Sequence, residues 1–525
     1  MDKDNRQKNS GAPFHARPKP VRSGKPADRN AGPRPAFGGS GRERGPVSGN
    51  GSRFVKKQTG VKPGRPISPR PAAVRPAANA PSSISRKVAL EIFQDVIHKE
   101  AFAALSLDER LKNANLTQLD KRFCASIVYT TIENLIRIDY ALSFFLKDAD
   151  ALEPTVRDIL RISACQLLFH DRIPPNAIVD EAVKLTRGAG MEGLTGLTNA
   201  VMRSMVRGKD EIKWPQRDEG AHYLSIMYSV PLWLVEKLTA AYGEQEAEKI
   251  CAYRSEAHYT VIRPNLARLT DAQFEALLQK KVWEVEKGLA PHAYRVRLAS
   301  DIARDADYFE GNFSIQGESS MLAAQAVDVK RGMQVLDCCA APGGKTAYLA
   351  ESMAGTGRVY AWDVHEHRVT LIRAMTKRLR LENVRPVVRD AAVFKEDLAG
   401  TMDAVLLDAP CSGLGVIDDK PDIKLRVTPE SVRELTGIQE KLLNTCCQYV
   451  KRGGTLVYST CSVLPEENGE QIRRFLSAHP DFSLIPLPEG IPERFRAQYT
   501  DLGLQLLPHR DGVEGFFIAR LRRNS

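Results

Sequence analysis

From Ser83 onward the apolar positions keep a helical period. In ISRKVALEIFQDVIHK, Val88, Ile92 and Val96 fall four residues apart with Phe93 and Ile97 beside them, which makes one face of an amphipathic helix. LDKRFCASIVYTTIENLIRIDYALSFFL, TVRDILRISACQLLF and NAIVDEAVKLTRGAG carry the same spacing, with few alternating β-branched runs between them. The pattern predicts an all-helical domain over 83–215. Over 216–310 it mixes: SVPLWLVEKLTAAYG is helical up to a glycine stop, while YTVIRPN and AYRVRLAS read as short strands. A small α/β connecting subdomain is expected there.

Over 311–525 the pattern changes again. Five apolar runs, MQVLDCCA, GRVYAWDV, VRPVVRD, DAVLLDAP and GTLVYSTCS, alternate with helical segments. That alternation predicts a mostly parallel sheet with helices on both faces, a Rossmann-like α/β domain. Ligands of such sheets bind at the carboxyl ends of the strands. The unusual polar residues of the chain gather at those ends: Asp337 to Lys345, Asp363, Asp390, Asp408 to Cys411, and Ser459 to Ser462. One polar strand end would mean little; five sharing the property point to a single crevice.

Charge separates the first 82 residues from the rest. Of the 525 residues, the first 80 hold 18 Lys and Arg against 4 Asp and Glu, a net of +14, leaving 57 basic and 60 acidic residues elsewhere, a net of −3, so all the net basicity of the +11 chain resides in this tail. Rich in Pro, Gly and Arg and poor in large apolar residues, residues 1–82 are expected to be disordered and to add electrostatic affinity for RNA phosphates. No apolar stretch follows the charges as in a secretory signal, and no run approaches a membrane span. Nine cysteines at irregular spacing argue against a disulfide framework and for a reducing cytoplasm. The adjacent pairs 338/339 and 446/447 lack the spacing of a zinc site, so no metal is expected. Cys124, Cys165, Cys338, Cys446 and Cys447 read as core residues. Cys446 ends a helical stripe of Leu435, Ile438, Leu442 and Cys446 expected to be buried.

LDCCAAPGGKT joins a strand to a helix start through a glycine-rich turn. It is not a phosphate-binding P-loop, because the first glycine of that motif would have to stand at Cys339. The small residues Ala340, Ala341, Gly343 and Gly344 instead allow close approach of backbone to a ligand. Asp363, 19 residues after Gly344 at the next strand end, is placed to accept the hydroxyls of a ribose, and Asp390 to meet an adenine amino group. A nucleoside-like cofactor without a pyrophosphate cradle suggests S-adenosylmethionine. Cys411 and Cys461 end neighbouring strands, which would bring two thiols into this crevice. Addition of a thiolate to carbon 6 of a pyrimidine makes carbon 5 nucleophilic enough to take a methyl group, and Asp408 is placed as the acid such a reaction needs at the base. Residue types leave open which cysteine attacks.

CAAPGGKT, DAPCSG and YSTCS, in this order, resemble the Sun/Nop-type RNA cytosine-5 methyltransferases, and the upstream VDEAVKL and LTNAVMR resemble a NusB-like RNA-binding domain. The resemblance spans roughly 83–525. It implies that Cys339, Ala340, Ala341, Pro342, Gly343, Gly344 and Lys345 line the S-adenosylmethionine site, with Asp363 on the ribose, Asp390 on the adenine side, and Asp408 facing both cofactor and base. It also implies that Cys461 is the nucleophile and that Cys411 assists release. With a NusB-like domain in front, it further implies a target cytosine in 16S ribosomal RNA and a monomeric, cytoplasmic enzyme. Two positions depart from the family pattern: Gly317 stands where an acid is common, and VYTTIEN lacks a usual glycine.

Overall fold

The computed structural model describes residues 83–524 except 149–150, 256–258 and 298–301. The basic tail lies outside the described residues. The helical period of the sequence is realised in helices from Ile84–His98 to Thr195–Gly208. Proline stands at the start of two of them, Pro154–Phe169 and Pro175–Gly188, where its missing N–H costs nothing. Phe93, Cys124, Ile127, Ile132, Ile138, Ile159 and Cys165 are fully buried in a common core. Among the described residues no helix is long and apolar enough to cross a membrane.

Three helices (Ala221–Tyr228, Leu232–Tyr242 and Glu244–Ala252) lead to an antiparallel sheet of β1 (Thr260–Pro264), β2 (Glu284–Lys287), β3 (Tyr294–Arg297) and β4 (Phe313–Ile315), ordered β2-β3-β1-β4. Arg263 of β1 is fully buried. It pairs with Glu351 on the helix Gly344–Ser352 and donates to Gln316 Oε1 at 2.7 Å, and Arg378 donates to Phe313 O at 3.0 Å, so two guanidiniums help fasten the small sheet to the larger domain. The space a side chain at Gly317 would need is taken by the Glu514 carboxylate, which accepts from Ser319 N at 2.9 Å.

The larger sheet holds β5 (Gln334–Asp337), β6 (Arg358–Asp363), β7 (Val384–Val388), β8 (Met402–Asp408), β9 (Val450–Thr460), β10 (Phe482–Leu484), β11 (Leu504–Leu506) and β12 (Phe516–Arg523). The order is β10-β12-β9-β8-β5-β6-β7, with β11 on β12. β5 to β9 are the five apolar runs and pair in parallel; β10 to β12 add antiparallel strands beyond β9. In β8 against β9, Asp408 lies opposite Ser459, so the segments that follow both strands emerge side by side.

The expected burial stripe on the helix Pro429–Cys446 needs correction. Ile438 is 47% exposed, and the buried face runs through Val432, Gln439, Leu442, Leu443 and Cys446. The face is turned because Gln439 is anchored: its Nε2 donates to Pro410 O and to Glu467 Oε1, both at 3.0 Å.

The segment that follows Cys411 reaches the helical domain. Lys424 is buried and donates to Glu133 O at 2.6 Å, and Arg426 donates to Ala101 O while its guanidinium lies over the Phe102 ring. Burial, with the Arg254 charge behind it, pushes the Lys424 ammonium down to about 7, against smaller opposing effects of Glu133 and Cys251. Between that value and its ordinary 10.5 the unfolded chain holds a proton that the folded chain lacks, so this group's contribution to stability rises with pH. Lys424→Met removes the contribution. The stability of the parent relative to Lys424→Met is therefore expected to climb between pH 7 and 9 by at most about 1.4 kcal/mol per unit. Urea denaturation of both proteins at three pH values measures it, and parallel stabilities across that range would refute the assignment.

Candidate active site

The crevice is built at the carboxyl ends of β5, β6, β8 and β9. After β5 the chain turns through Cys338 to Gly343 and enters the helix Gly344–Ser352. Gly343 has φ +112°, a conformation that side chains rarely adopt. Asp337 lies beneath this turn, wholly buried, with Oδ2 accepting from Thr346 Oγ1 at 2.7 Å and Oδ1 without a partner. Burial pushes its carboxyl up to about 7. Asp363, also buried, accepts from His365 N at 3.1 Å and faces Arg368 at 3.4 Å; the same arginine donates to Ala341 O at 3.3 Å and ties the two strand ends together. Asp390 is exposed and its Oδ1 accepts from Ala392 N at 2.8 Å, so part of its capacity is spent on its own turn.

At the end of β8 the Asp408 carboxylate is held from two sides. Lys345 Nζ donates to Oδ2 and Ser459 Oγ to Oδ1, each at 2.7 Å. Lys345 is desolvated, yet its ammonium is held above the ordinary lysine range by Asp408, and it lies 5.1 Å from the centre of the Phe516 ring.

Cys411 and Cys461 follow β8 and β9. Their sulfurs stand 3.2 Å apart, and Cys461 N donates to Cys411 Sγ at 3.3 Å. Both are partly exposed, and none of the nine cysteines is in a disulfide. The two thiols share their protons unequally. The hydrogen bond with Cys411 holds the Cys461 thiol below its ordinary value against burial and Asp408, with help from Lys345 and Lys420. The same bond, with burial and the charge of Glu467, raises Cys411. The coupling therefore makes Cys461 the thiol of the pair that ionises more readily, and the thiolate is the nucleophilic form. Cys338, Cys446 and Cys447 are buried away from this role.

The loop after Cys411 is pressed against the strand that closes the domain. Gly415 N donates to Cys461 O and Gly515 N to Gly415 O, both at 2.9 Å, and a Cβ on Gly415 would lie 2.0 Å from Gly515 O. Only glycine fits that crossing.

The residues fit S-adenosylmethionine. A turn of small residues borders the crevice, Asp363 and Asp408 stand at the neighbouring strand ends, and Asp337 beneath the turn keeps an unpaired buried oxygen, an acidic setting that suits a ligand carrying sulfonium and ammonium charges.

The structure brings Lys345, Asp408, Cys411 and Cys461 together at the ends of β8 and β9, with Asp363 and Asp390 at the neighbouring ends of β6 and β7. Not singled out in the sequence were Arg368, Ser412, Gln439 and Glu467. Their signal is faint: a serine after a cysteine, a glutamine on a helix, an acid after Pro465.

Three family models match the chain. Residues 324–522 match the model of 16S rRNA methyltransferase RsmB/F, residues 83–207 the NusB family, and residues 230–303 the ferredoxin-like domain of RsmF/B-like methyltransferases. The chain is 37% identical over 445 residues to the probable ribosomal RNA small subunit methyltransferase B of Bacillus subtilis (strain 168), covering 83% of this chain and 98% of that protein. It is 30% identical over 437 residues to ribosomal RNA small subunit methyltransferase B of Shewanella oneidensis, covering 83% and 98%. Among solved structures, PH0851 superposes with a TM-score of 0.71 at 27% identity over 84% of this chain and 100% of that one.

Proposed function

We propose a reaction for this chain, which belongs to the S-adenosylmethionine-dependent ribosomal RNA small subunit methyltransferase B family: methylation of carbon 5 of a cytosine in 16S ribosomal RNA, through a covalent bond from Cys461 to the base. The observation that carries the reading is the pair of thiols 3.2 Å apart beside the Lys345–Asp408 ion pair.

The target cytosine must leave its stack to reach the crevice. The Cys461 thiolate then adds to carbon 6, and the electrons of the ring double bond move toward carbon 5 and N3. A proton passed from Lys345 through Asp408 to N3 neutralises the negative charge that develops there. S-adenosylmethionine supplies an electrophilic methyl carbon to carbon 5, and the residues that would hold it are Cys339 to Lys345, Asp363 and Asp390. Loss of the carbon 5 proton to water, with the N3 proton returned to the Asp408–Lys345 pair, then lets the bond from sulfur to carbon 6 break, restoring the ring double bond and the Cys461 thiolate. Cys411, the nearest titratable group to that sulfur, is assigned to this release. Splitting one difficult substitution into addition, transfer and elimination is the gain of covalent catalysis.

The target is tested by bisulfite sequencing of total RNA from a strain lacking the gene. One cytosine of 16S ribosomal RNA is expected to lose its protection. Loss at a transfer RNA position, with 16S unchanged, would overturn the target.

A further inference from the structure

Beneath the two sulfurs lies a second pairing, of hydroxyls. Ser412 follows Cys411 and Ser462 follows Cys461, and their Oγ atoms are 3.1 Å apart. Both donate to one carboxylate oxygen, Glu467 Oε2, the Ser412 contact at 2.5 Å. The other oxygen accepts from Ser412 N at 2.8 Å and Gln439 Nε2 at 3.0 Å. Tyr458 OH fixes the backbone of Glu467 at 2.6 Å.

Glu467 is fully buried, and no lysine or arginine among the described residues forms an ion pair with it. A buried carboxylate without a cation is costly, and four hydrogen bonds are what keep it tolerable. A well-packed neutral side chain would serve stability as well. The arrangement is better explained by what hangs from it. The two cysteines lie on separate loops, and their sulfurs are not covalently joined. A hydrogen bond between sulfurs survives only while those loops hold their spacing.

We propose that Glu467 is a positioning residue that sets the spacing and orientation of the two thiols by clamping the serine next to each. The proposal rests on the reading of Cys461 as nucleophile. The charge acts in the same sense as the geometry. Glu467 raises Cys411, keeping it in the protonated, donating form, while the hydrogen bond from Cys411 is the largest influence holding Cys461 down.

The test titrates Cys461 in the full chain without RNA or cofactor, from the pH dependence of its alkylation by iodoacetamide, read at that residue by mass spectrometry. Glu467→Gln keeps the shape but removes the charge and two acceptor sites. Its Cys461 midpoint is expected to rise by about one pH unit. The kcat for methyl transfer should fall about 10- to 100-fold, with KM for S-adenosylmethionine unchanged. In a Cys411→Ala background the same substitution should shift the midpoint no further, because the clamp acts through Cys411. Ser462→Ala cuts one tether and keeps the acid, so it serves should Glu467→Gln fail to fold, with a smaller rise expected. An unchanged midpoint in the variant that folds, or an equal shift with and without Cys411, would overturn the proposal. The titration needs no RNA. A parent protein that keeps its low Cys461 midpoint but methylates no RNA would sink the proposed reaction and leave the clamp standing.

Discussion

Cys461→Ala is expected to abolish both methyl transfer and the covalent RNA adduct, whereas Cys411→Ala keeps the adduct and accumulates it. The asymmetry follows from one hydrogen bond. With the sulfurs 3.2 Å apart the two thiols are coupled, and the lysines at 345 and 420 lower the Cys461 thiol. Glu467 and burial favour the proton on Cys411. Removing the attacking sulfur leaves no substitute within reach in the correct protonation state, so kcat should fall by at least about four orders of magnitude. Removing Cys411 costs Cys461 its donor, which slows attack without preventing it. The group assigned to release is then missing, so the adduct should build up. Denaturing electrophoresis of protein incubated with labelled RNA and S-adenosylmethionine reads the adduct, and labelled methyl incorporation reads turnover. An adduct formed by Cys461→Ala and none by Cys411→Ala would reverse the roles.

Much of this site was legible in the sequence because its strands are local signals. A buried parallel strand is a short apolar run, and a polar residue at its end stands out against the run. Asp337, Asp363, Asp408 and the segments holding Cys411 and Cys461 all announce themselves in this way. Which sulfur ionises more readily was not legible, because that depends on the distance across two loops and on Lys345, Lys420 and Glu467, which come from three other segments. Glu467 was hidden for the same reason. Its four hydrogen bonds reach 55, 28 and 5 residues away, and nothing in PEEN marks the second acid as buried. The helix Pro429–Cys446 shows a local rule yielding to tertiary structure. Periodicity favours Ile438 for the interior, but the amide of Gln439 is needed there, and Ile438 is left 47% exposed. The small sheet offered two clear strands in β1 and β3. Its edge strand β2, with all four residues exposed, has no apolar face to read.

The Lys345–Asp408 pair supplies the second large effect, and its two halves should act on Cys461 with opposite sign. Asp408 raises the Cys461 thiol and Lys345 lowers it. Asp408→Asn is therefore expected to lower the Cys461 alkylation midpoint, making the thiolate more abundant, and yet to cut kcat by about three orders of magnitude, because the group facing N3 is lost. Lys345→Met should raise the midpoint. It also leaves the Asp408 carboxylate with Ser459 as its one remaining side-chain hydrogen-bond partner among the described residues, close to the buried Asp337 and Asp363. Its loss of kcat should shrink as pH is raised toward 9 and the thiolate population recovers, whereas the loss in Asp408→Asn should persist across the same range. The divergence separates electrostatic support of the nucleophile from support of the base. A common shift of the two midpoints in one direction would show that the pair acts on Cys461 through structure alone. If both kcat losses were independent of pH, the charge of Lys345 would have no part in ionising the thiol.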